Sequence, residues 1–258
     1  MEIFQKLTGA LFLSLSLPLH AYAGEFSLVT HSTGAVSISF SGPISDGDAG
    51  KFVSLIDKFP AEIVRATSIQ LDSSGGSISE ALSLAKEIER SGLIVTVEDG
   101  DTCASACFLL LASAQYRWIG DSSSVHLHRP YLSTPSTSLD GYSSDSSLQQ
   151  QTTLEMRRYL EQRSIASQLI DKMMRNPSNE AYRMTVHDMR MHMGNLAPTL
   201  EELTISKCGL TNSNIFTEDR DFRGIDMPCI RFFLIPMKAQ YVRSLVGQAR
   251  YSEALERL

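Results

Sequence analysis

The 258-residue sequence has no basic stripe, because its acidic and basic residues are mixed along the chain and give a net charge of −6. This distribution excludes an extended nucleic-acid surface, so nucleic acid is not expected as a partner. The sequence also has no nucleotide-binding loop and no internal repeat. After residue 23, no apolar run approaches the roughly 20 residues that a membrane-spanning helix needs.

The one long apolar run lies at the N-terminus. LTGALFLSLSLPLHAYA ends in the small-x-small pattern Ala21-Tyr22-Ala23. This pattern predicts a secretory signal peptide over residues 1–23, cut after Ala23. An uncleaved anchor is the alternative, although Pro18 and the short apolar run disfavour it. The expected location is therefore periplasmic or secreted.

Cysteine is scarce, and its four copies, Cys103, Cys107, Cys208 and Cys229, all follow the predicted cleavage site. An even number in an exported chain indicates disulfides, with three pairings open. Cys208–Cys229 is the preferred pair, because both residues lie in the loop-rich C-terminal part. Residues four apart on a helix have Cα atoms about 6 Å apart, so a Cys103–Cys107 bridge is also feasible. Thiol redox chemistry is an alternative, although C-x-x-x-C differs from the usual C-x-x-C.

Strand and helix patterns alternate over the first half of the chain. Strand patterns fall within 35–42, 68–76, 93–100 and 123–130, and amphipathic or apolar helical segments separate them. This alternation predicts an α/β domain with a mostly parallel sheet. Sites in such sheets lie at the carboxyl ends of the strands.

The predicted domain covers residues 24–205 and is followed by a C-terminal extension, 206–258. Residues 131–153 are rich in Ser, Thr and Gln, which predicts an exposed, mobile loop. Helical segments follow over 154–174. Near the end, an apolar helix face is expected to dock on the domain or on another subunit. Its members are Val242, Leu245, Val246 and Ala249.

Two elements suggest acyl chemistry. The motif LDSSGGSISEAL places Gly75 and Gly76 between a strand and a helix, where backbone amides can stabilise an oxyanion, although a tight turn alone also explains them. Ser105 lies between the small residues Ala104 and Ala106, which leave room for a substrate carbonyl. A serine here is a candidate nucleophile or merely a helix N-cap.

The third element is VHLHRP, in which His126 and His128 lie two apart on a predicted strand and so share one face. Two histidines can begin a metal site, but zinc needs a third ligand, which Cys103 or Cys107 would have to provide. We expect no metal and no other cofactor.

The order and spacing of these elements resemble the Clp protease proteolytic-subunit family, within the crotonase-like superfamily. The cysteines around Ser105 resemble those of a group of exported members. AVSISFSGPISDGDAGKFVSLIDKF resembles the family's first strand and helix, and IQLDSSGGSISEALSLAKEI resembles its glycine-pair unit. CASACFLLLASAQYRWIGDSSSVHLHRP resembles its nucleophile helix and base histidine. The resemblance covers roughly residues 35–195 and implies a spiral of repeated ββα units with a mostly parallel sheet.

The resemblance assigns Ser105 as nucleophile and His128 as general base, and it places the oxyanion hole at the backbone amides of Gly76 and Ala106. His126 matches no catalytic position. A related group of membrane proteases pairs the serine with a lysine.

The stretch in which that group carries its base has no lysine, because none lies between Lys86 and Lys172. A Ser–His pair is therefore favoured. For the third triad member, which would hold His128 in the correct tautomer, the resemblance points to NPSNEAYRMT, with Asn179 and Glu180 as candidates.

The expected function is that of a serine hydrolase, an exported peptidase that works without ATP on peptides or unfolded proteins. No ATPase partner is expected. A homo-oligomer is compatible with the resemblance, but the Ser-rich segment 131–153 replaces the family's ring contacts, which argues against a stacked double ring. The alternatives are a non-catalytic binding or scaffold protein on the same fold, and a crotonase-type acyl-CoA activity, which export disfavours.

Overall fold

The computed structural model describes residues 23–130, 146–208 and 227–257. The predicted signal peptide up to residue 22, residues 131–145 of the predicted loop and residues 209–226 of the extension lie outside the described residues. Among the helices described, none has both the length and the apolar character needed to cross a membrane.

The main sheet contains five strands. They are β1 (Glu25–Thr30), β2 (Val36–Ser41), β3 (Ala66–Asp72), β4 (Ile94–Val97) and β6 (Arg117–Ile119), in that spatial order. β1 runs antiparallel to β2, and the other neighbouring pairs are parallel. The predicted α/β class with a mostly parallel sheet is therefore confirmed.

A second, smaller sheet stands beside the ends of the first. It contains β5 (Thr102–Ala104), β7 (Ser124–Leu127) and β8 (Tyr182–Arg183), with β5 parallel to β7 and β8 antiparallel to it. The end of β3 joins it through Ser73, whose carbonyl accepts a 2.9 Å hydrogen bond from the Ala104 amide. The carboxyl ends of β3, β5 and β7 therefore meet, although strands as short as β5 and β8 have no readable periodicity.

Nine α-helices are present among the described residues. They are α1 (Asp48–Lys58), α2 (Pro60–Arg65), α3 (Ile78–Ser91), α4 (Cys107–Ser113), α5 (Ser146–Gln162), α6 (Ser167–Arg175), α7 (Val186–Asp188), α8 (Pro198–Cys208) and α9 (Met227–Glu256). A 3₁₀ turn (Ser178–Glu180) precedes β8, and a π-helix (Met189–Met193) continues α7.

The loop prediction was wrong for residues 146–153, which form the first half of α5. Their Ser, Thr and Gln content suggested a loop, but composition alone does not exclude a helix, since Gln is a good helix former. The second half of α5 buries Met156 and Leu160 in the core, and this packing stabilises the whole helix.

The core centres on α4, whose seven residues are all buried. Its leucines, Leu109, Leu110 and Leu111, are completely shielded from solvent and belong to the core cluster shared with α3. The apolar run after Ser105 is therefore a buried helix, and it supports the serine rigidly.

The C-terminal helix α9 docks on the domain. Val242 and Val246 belong to the core cluster, and Leu245 packs against it, as the predicted apolar face requires. Ala249 was placed wrongly on this face, because it is exposed. The helix is broken at Gly247 (φ 81°), which shifts the phase of every later residue.

The Cys208–Cys229 disulfide connects α8 to α9, with Cα atoms 6.1 Å apart. The preferred pairing from the sequence is confirmed. The bridge spans 21 residues and holds the last helix to the element before it.

Candidate active site

Ser105 lies in the turn between β5 and α4 with a backbone φ of 55°. Positive φ is uncommon for a residue other than glycine, and such conformations persist where the surrounding structure enforces them. Here the Ser105 amide donates a 2.8 Å hydrogen bond to the His126 carbonyl, and its own carbonyl accepts one of 3.0 Å from Phe108. The half-buried serine side chain is thus presented from a sharp strand-to-helix turn.

A disulfide between Cys103 and Cys107 brackets this turn. The two Cα atoms are 5.3 Å apart, and both residues are fully buried. The bridge links the middle of β5 to the first residue of α4, so it braces the turn on its buried side. A bridged pair has no thiolate to offer a metal, and the described residues contain no cluster of three or more His, Cys, Asp or Glu side chains suited to one.

Gly75 comes into direct contact with the turn. Its φ is 90°, and a Cβ built on it would lie 2.6 Å from the Ser105 Cβ and 2.9 Å from the Ala106 nitrogen. Gly76 is equally crowded on another side, where a Cβ would lie 2.1 Å from the Ile44 carbonyl oxygen. Both glycines have positive φ, which glycine adopts readily in a turn. Because Gly75 has no Cβ, its backbone can also touch Ser105.

Two backbone amides near Ser105 have no partner in the described part of the chain. Ile44 pairs with this loop through two backbone hydrogen bonds: the Ile44 amide donates to the Gly75 carbonyl, and the Ser77 amide donates to the Ile44 carbonyl. The Gly76 amide takes no part in this pairing. The Ala106 amide likewise donates no hydrogen bond to another described residue. Unengaged amides beside a candidate nucleophile are what an oxyanion site requires.

His128 immediately follows β7. Ala104 pairs with His126 in the parallel β5–β7 ladder, so Ser105 and His128 leave neighbouring strands at the same edge. Adjacent strands lie only ~4.8 Å apart. The His128 residue is 9% exposed, and its Nδ1 lies 2.8 Å from the Arg129 carbonyl oxygen. Donation from Nδ1 to this carbonyl would leave the basic lone pair of the neutral ring on Nε2.

His126 lies inside β7, opposite Arg183 of β8, rather than at the strand end. The candidates for the third triad member, Asn179 and Glu180, are exposed on the 3₁₀ turn. The Arg129 amide donates a 2.8 Å hydrogen bond to the carbonyl of Asn176, which connects this segment to the chain just after His128. The assignment of a third member stays a prediction.

A buried carboxylate behind β8 was not singled out from the sequence. Asp188 accepts hydrogen bonds of 2.5 Å from both Lys172 Nζ and the Tyr182 hydroxyl, and one of 2.8 Å from the Thr185 amide. Burial raises the pKa of Asp188, but these donors outweigh it and hold the pKa well below its usual range. Tyr182 pairs with Leu127 in β7, so the carboxylate anchors the strand that supports His128. The spacing Thr-x-x-Asp, a capping-box pattern, was the available signal.

No protein-family model matches the chain, and no curated protein matches it in sequence. Among the solved structures that resemble it in part are two of a membrane-bound stomatin-specific protease: a lysine-to-alanine variant with a substrate peptide and a serine-to-alanine variant. They share 13% and 12% identity, cover 60% of this chain and 70% and 74% of their own, and have a TM-score of 0.45. A likeness this loose assigns no activity.

Proposed function

We propose that this protein is a serine hydrolase, and more narrowly a peptidase, in which Ser105 is the nucleophile and His128 the general base. The observation that carries the proposal is the backbone of Ser105. It has positive φ, contacts Gly75, and is hydrogen-bonded to the strand that ends just before His128. A helix N-cap needs none of these features.

In the proposed reaction, Ser105 Oγ bonds to the substrate carbonyl carbon while its proton passes to His128 Nε2. The carbonyl oxygen becomes an oxyanion, which the amides of Gly76 and Ala106 stabilise; one such donor is worth about 3 kcal/mol in a transition state. Collapse breaks the C–N bond, and the leaving amine takes the proton from His128. Water then hydrolyses the acyl-Ser105 ester by the same proton route.

The proposal also includes export and independence from ATP. Two disulfides support an oxidising compartment, in which a separate ATP-driven unfolding partner is not expected. The substrates would then be short peptides or unfolded segments that reach Ser105 without assistance. A homo-oligomer is compatible with this arrangement.

Labelling with a fluorophosphonate probe tests the nucleophile. Folded wild-type protein should be labelled once per chain, and Ser105→Ala should not be labelled. His128→Ala should react much more slowly, by the 10²–10⁴-fold that general-base catalysis supplies. The matched control is Ser83→Ala, which removes an exposed hydroxyl from α3 and should label like wild type. A folded wild type that stays unlabelled would refute the hydrolase.

A non-catalytic peptide-binding protein is the second candidate, favoured by the exposure of both Asn179 and Glu180. It predicts that a peptide library is bound but never cleaved, and that Ser105→Ala binds as tightly as wild type. Mass spectrometry of the recovered peptides separates the two candidates, because cleavage by wild type alone supports the hydrolase.

A further inference from the structure

A second cluster of chemically active side chains lies outside the candidate active site. The segment MTVHDMRMHM, residues 184–193, contains two histidines and four methionines. The rings of His187 and His192 contact each other edge to face, with centres 6.1 Å apart and planes at 89°. The proposed hydrolase uses neither ring.

The π-helix explains why these two rings meet. In an α-helix, residues five apart point about 140° away from each other, so their side chains do not touch. Here the chain widens after α7, and the Gly194 amide donates a 2.7 Å hydrogen bond to the Met189 carbonyl, five residues earlier. The wider turn carries His192 back over His187. Such π-bulges occur frequently at functional sites.

The cluster is accessible and its backbone is anchored. The His192 carbonyl accepts a 2.8 Å hydrogen bond from the Ala166 amide, which ties the turn to the start of α6. His187 is exposed, His192 is half-buried, and Met191 is 64% exposed. Met191 and His192 also line the same small cavity of about 170 Å³. Because the Met191 side chain is so exposed, hydrophobic burial contributes little to stability there, and core packing does not explain its position.

We propose that His187, His192 and Met191 form a binding site for a single Cu(I) ion. Imidazole nitrogen is a good ligand for copper, and thioether sulfur, a soft donor, selects Cu(I) over harder cations. With metal–nitrogen bonds of ~2 Å, two imidazoles that share one metal have ring centres about 5–6 Å apart. The observed separation of 6.1 Å is close to the upper end of this range.

The donor set argues against hard cations. The nearest carboxylate along the segment, Asp188, is fully buried and bonded to Lys172, so it offers no oxygen to an ion at the surface. Calcium and magnesium require oxygen ligands. Zinc prefers four nitrogen, sulfur or oxygen ligands, whereas this cluster provides two imidazoles and a thioether.

An anaerobic titration of the mature chain with Cu(I), in competition with a chromophoric Cu(I) chelator, tests the site. Wild type should bind one Cu(I) per chain. His187→Gln and His192→Gln should lose this binding, and Met191→Leu, which conserves volume, should weaken it at least tenfold. The matched controls are His31→Gln, at an exposed histidine elsewhere, and Met174→Leu, and both should bind like wild type. Circular dichroism checks that each variant is folded.

The proposal is overturned if wild type takes no Cu(I) from the chelator, or if any of the three site variants binds as wild type does. Ser105→Ala should bind Cu(I) with wild-type affinity, since the site does not depend on the hydrolase. Failure of the copper site and failure of the proposed hydrolase therefore give different results in the two assays.

Discussion

The backbone amide of Ser105 donates a 2.8 Å hydrogen bond to the carbonyl of His126. This bond extends the β5–β7 ladder by one residue, into the turn that carries the candidate nucleophile. It sets the position of Ser105 relative to His128, which lies two residues after His126 and just beyond the end of β7, through the backbone alone. Changes that move either backbone should therefore reduce activity, even where the fold survives.

Gly75→Ala should disturb this geometry directly. The new Cβ would lie 2.5 Å from the Ala104 carbonyl oxygen and 2.6 Å from the Ser105 Cβ, so the turn must move. A displacement of about 1 Å costs roughly 100-fold in rate, which is the expected fall in the fluorophosphonate labelling rate. The free energy of unfolding should fall by about 3 kcal/mol, from positive φ and overpacking together.

Gly100→Ala is the matched control for this prediction. Gly100 has the same φ of 90°, but a Cβ there would meet no described atom within 4 Å. The free energy of unfolding should fall only by the backbone strain of about 1 kcal/mol, and the fluorophosphonate labelling rate should stay at the wild-type value. Equal labelling rates for the two variants would show that contact between Gly75 and Ser105 is unimportant.

The double variant Cys103→Ala/Cys107→Ala should loosen the turn. Closing so short a loop is worth about 2 kcal/mol, and this stability should be lost in urea denaturation. The labelling rate should fall as well, because the positive φ of Ser105 is no longer braced on its buried side.

The double variant Cys208→Ala/Cys229→Ala, which removes the other disulfide, is the control for this prediction. Its disulfide closes a longer loop, so more stability should be lost, about 3 kcal/mol. It joins α8 to α9 rather than bracing Ser105, and the folded protein should label at the wild-type rate. If the two double variants label equally slowly, the Cys103–Cys107 bridge has no special effect on the serine.

Asp188 should make stability depend on pH in the acid range. Its folded pKa lies well below the unfolded value of about 3.9, so the unfolded chain binds more protons as the pH falls. The contribution of Asp188 is fully present above about pH 5 and is lost as the pH falls toward the folded pKa.

Asp188→Asn should therefore be less stable at pH 7, by about 2 kcal/mol from its weakened hydrogen bonds, and should lose less stability between pH 7 and 3. Urea unfolding midpoints across this range measure both effects. Asp171→Asn, which removes a half-exposed partner of Arg157, is the control and should follow wild type closely. Parallel pH curves for wild type and Asp188→Asn would contradict the role of the buried carboxylate.

Local patterns predicted much of the fold. The alternation of strands and helices, the glycine pair between β3 and α3, and the buried run after Ser105 all depend on neighbours in the chain, so periodicity and turn chemistry reveal them. The Cys208–Cys229 pairing was also preferred from the sequence and is confirmed. Short strands such as β5 were not predicted from the sequence, because three residues are too few for a periodic pattern.

The sequence by itself determined which residue types are the candidates for catalysis and in which order they occur, because both are properties of the chain. Only the tertiary structure decided that Gly75 lies against Ser105, that His126 is bonded to the Ser105 amide, and that Asp188 is buried behind β8. These contacts join segments distant in sequence, and they depend on sheet register and on how the elements pack. The same is true of the π-helix, which brings His187 to His192 against the α-helical period.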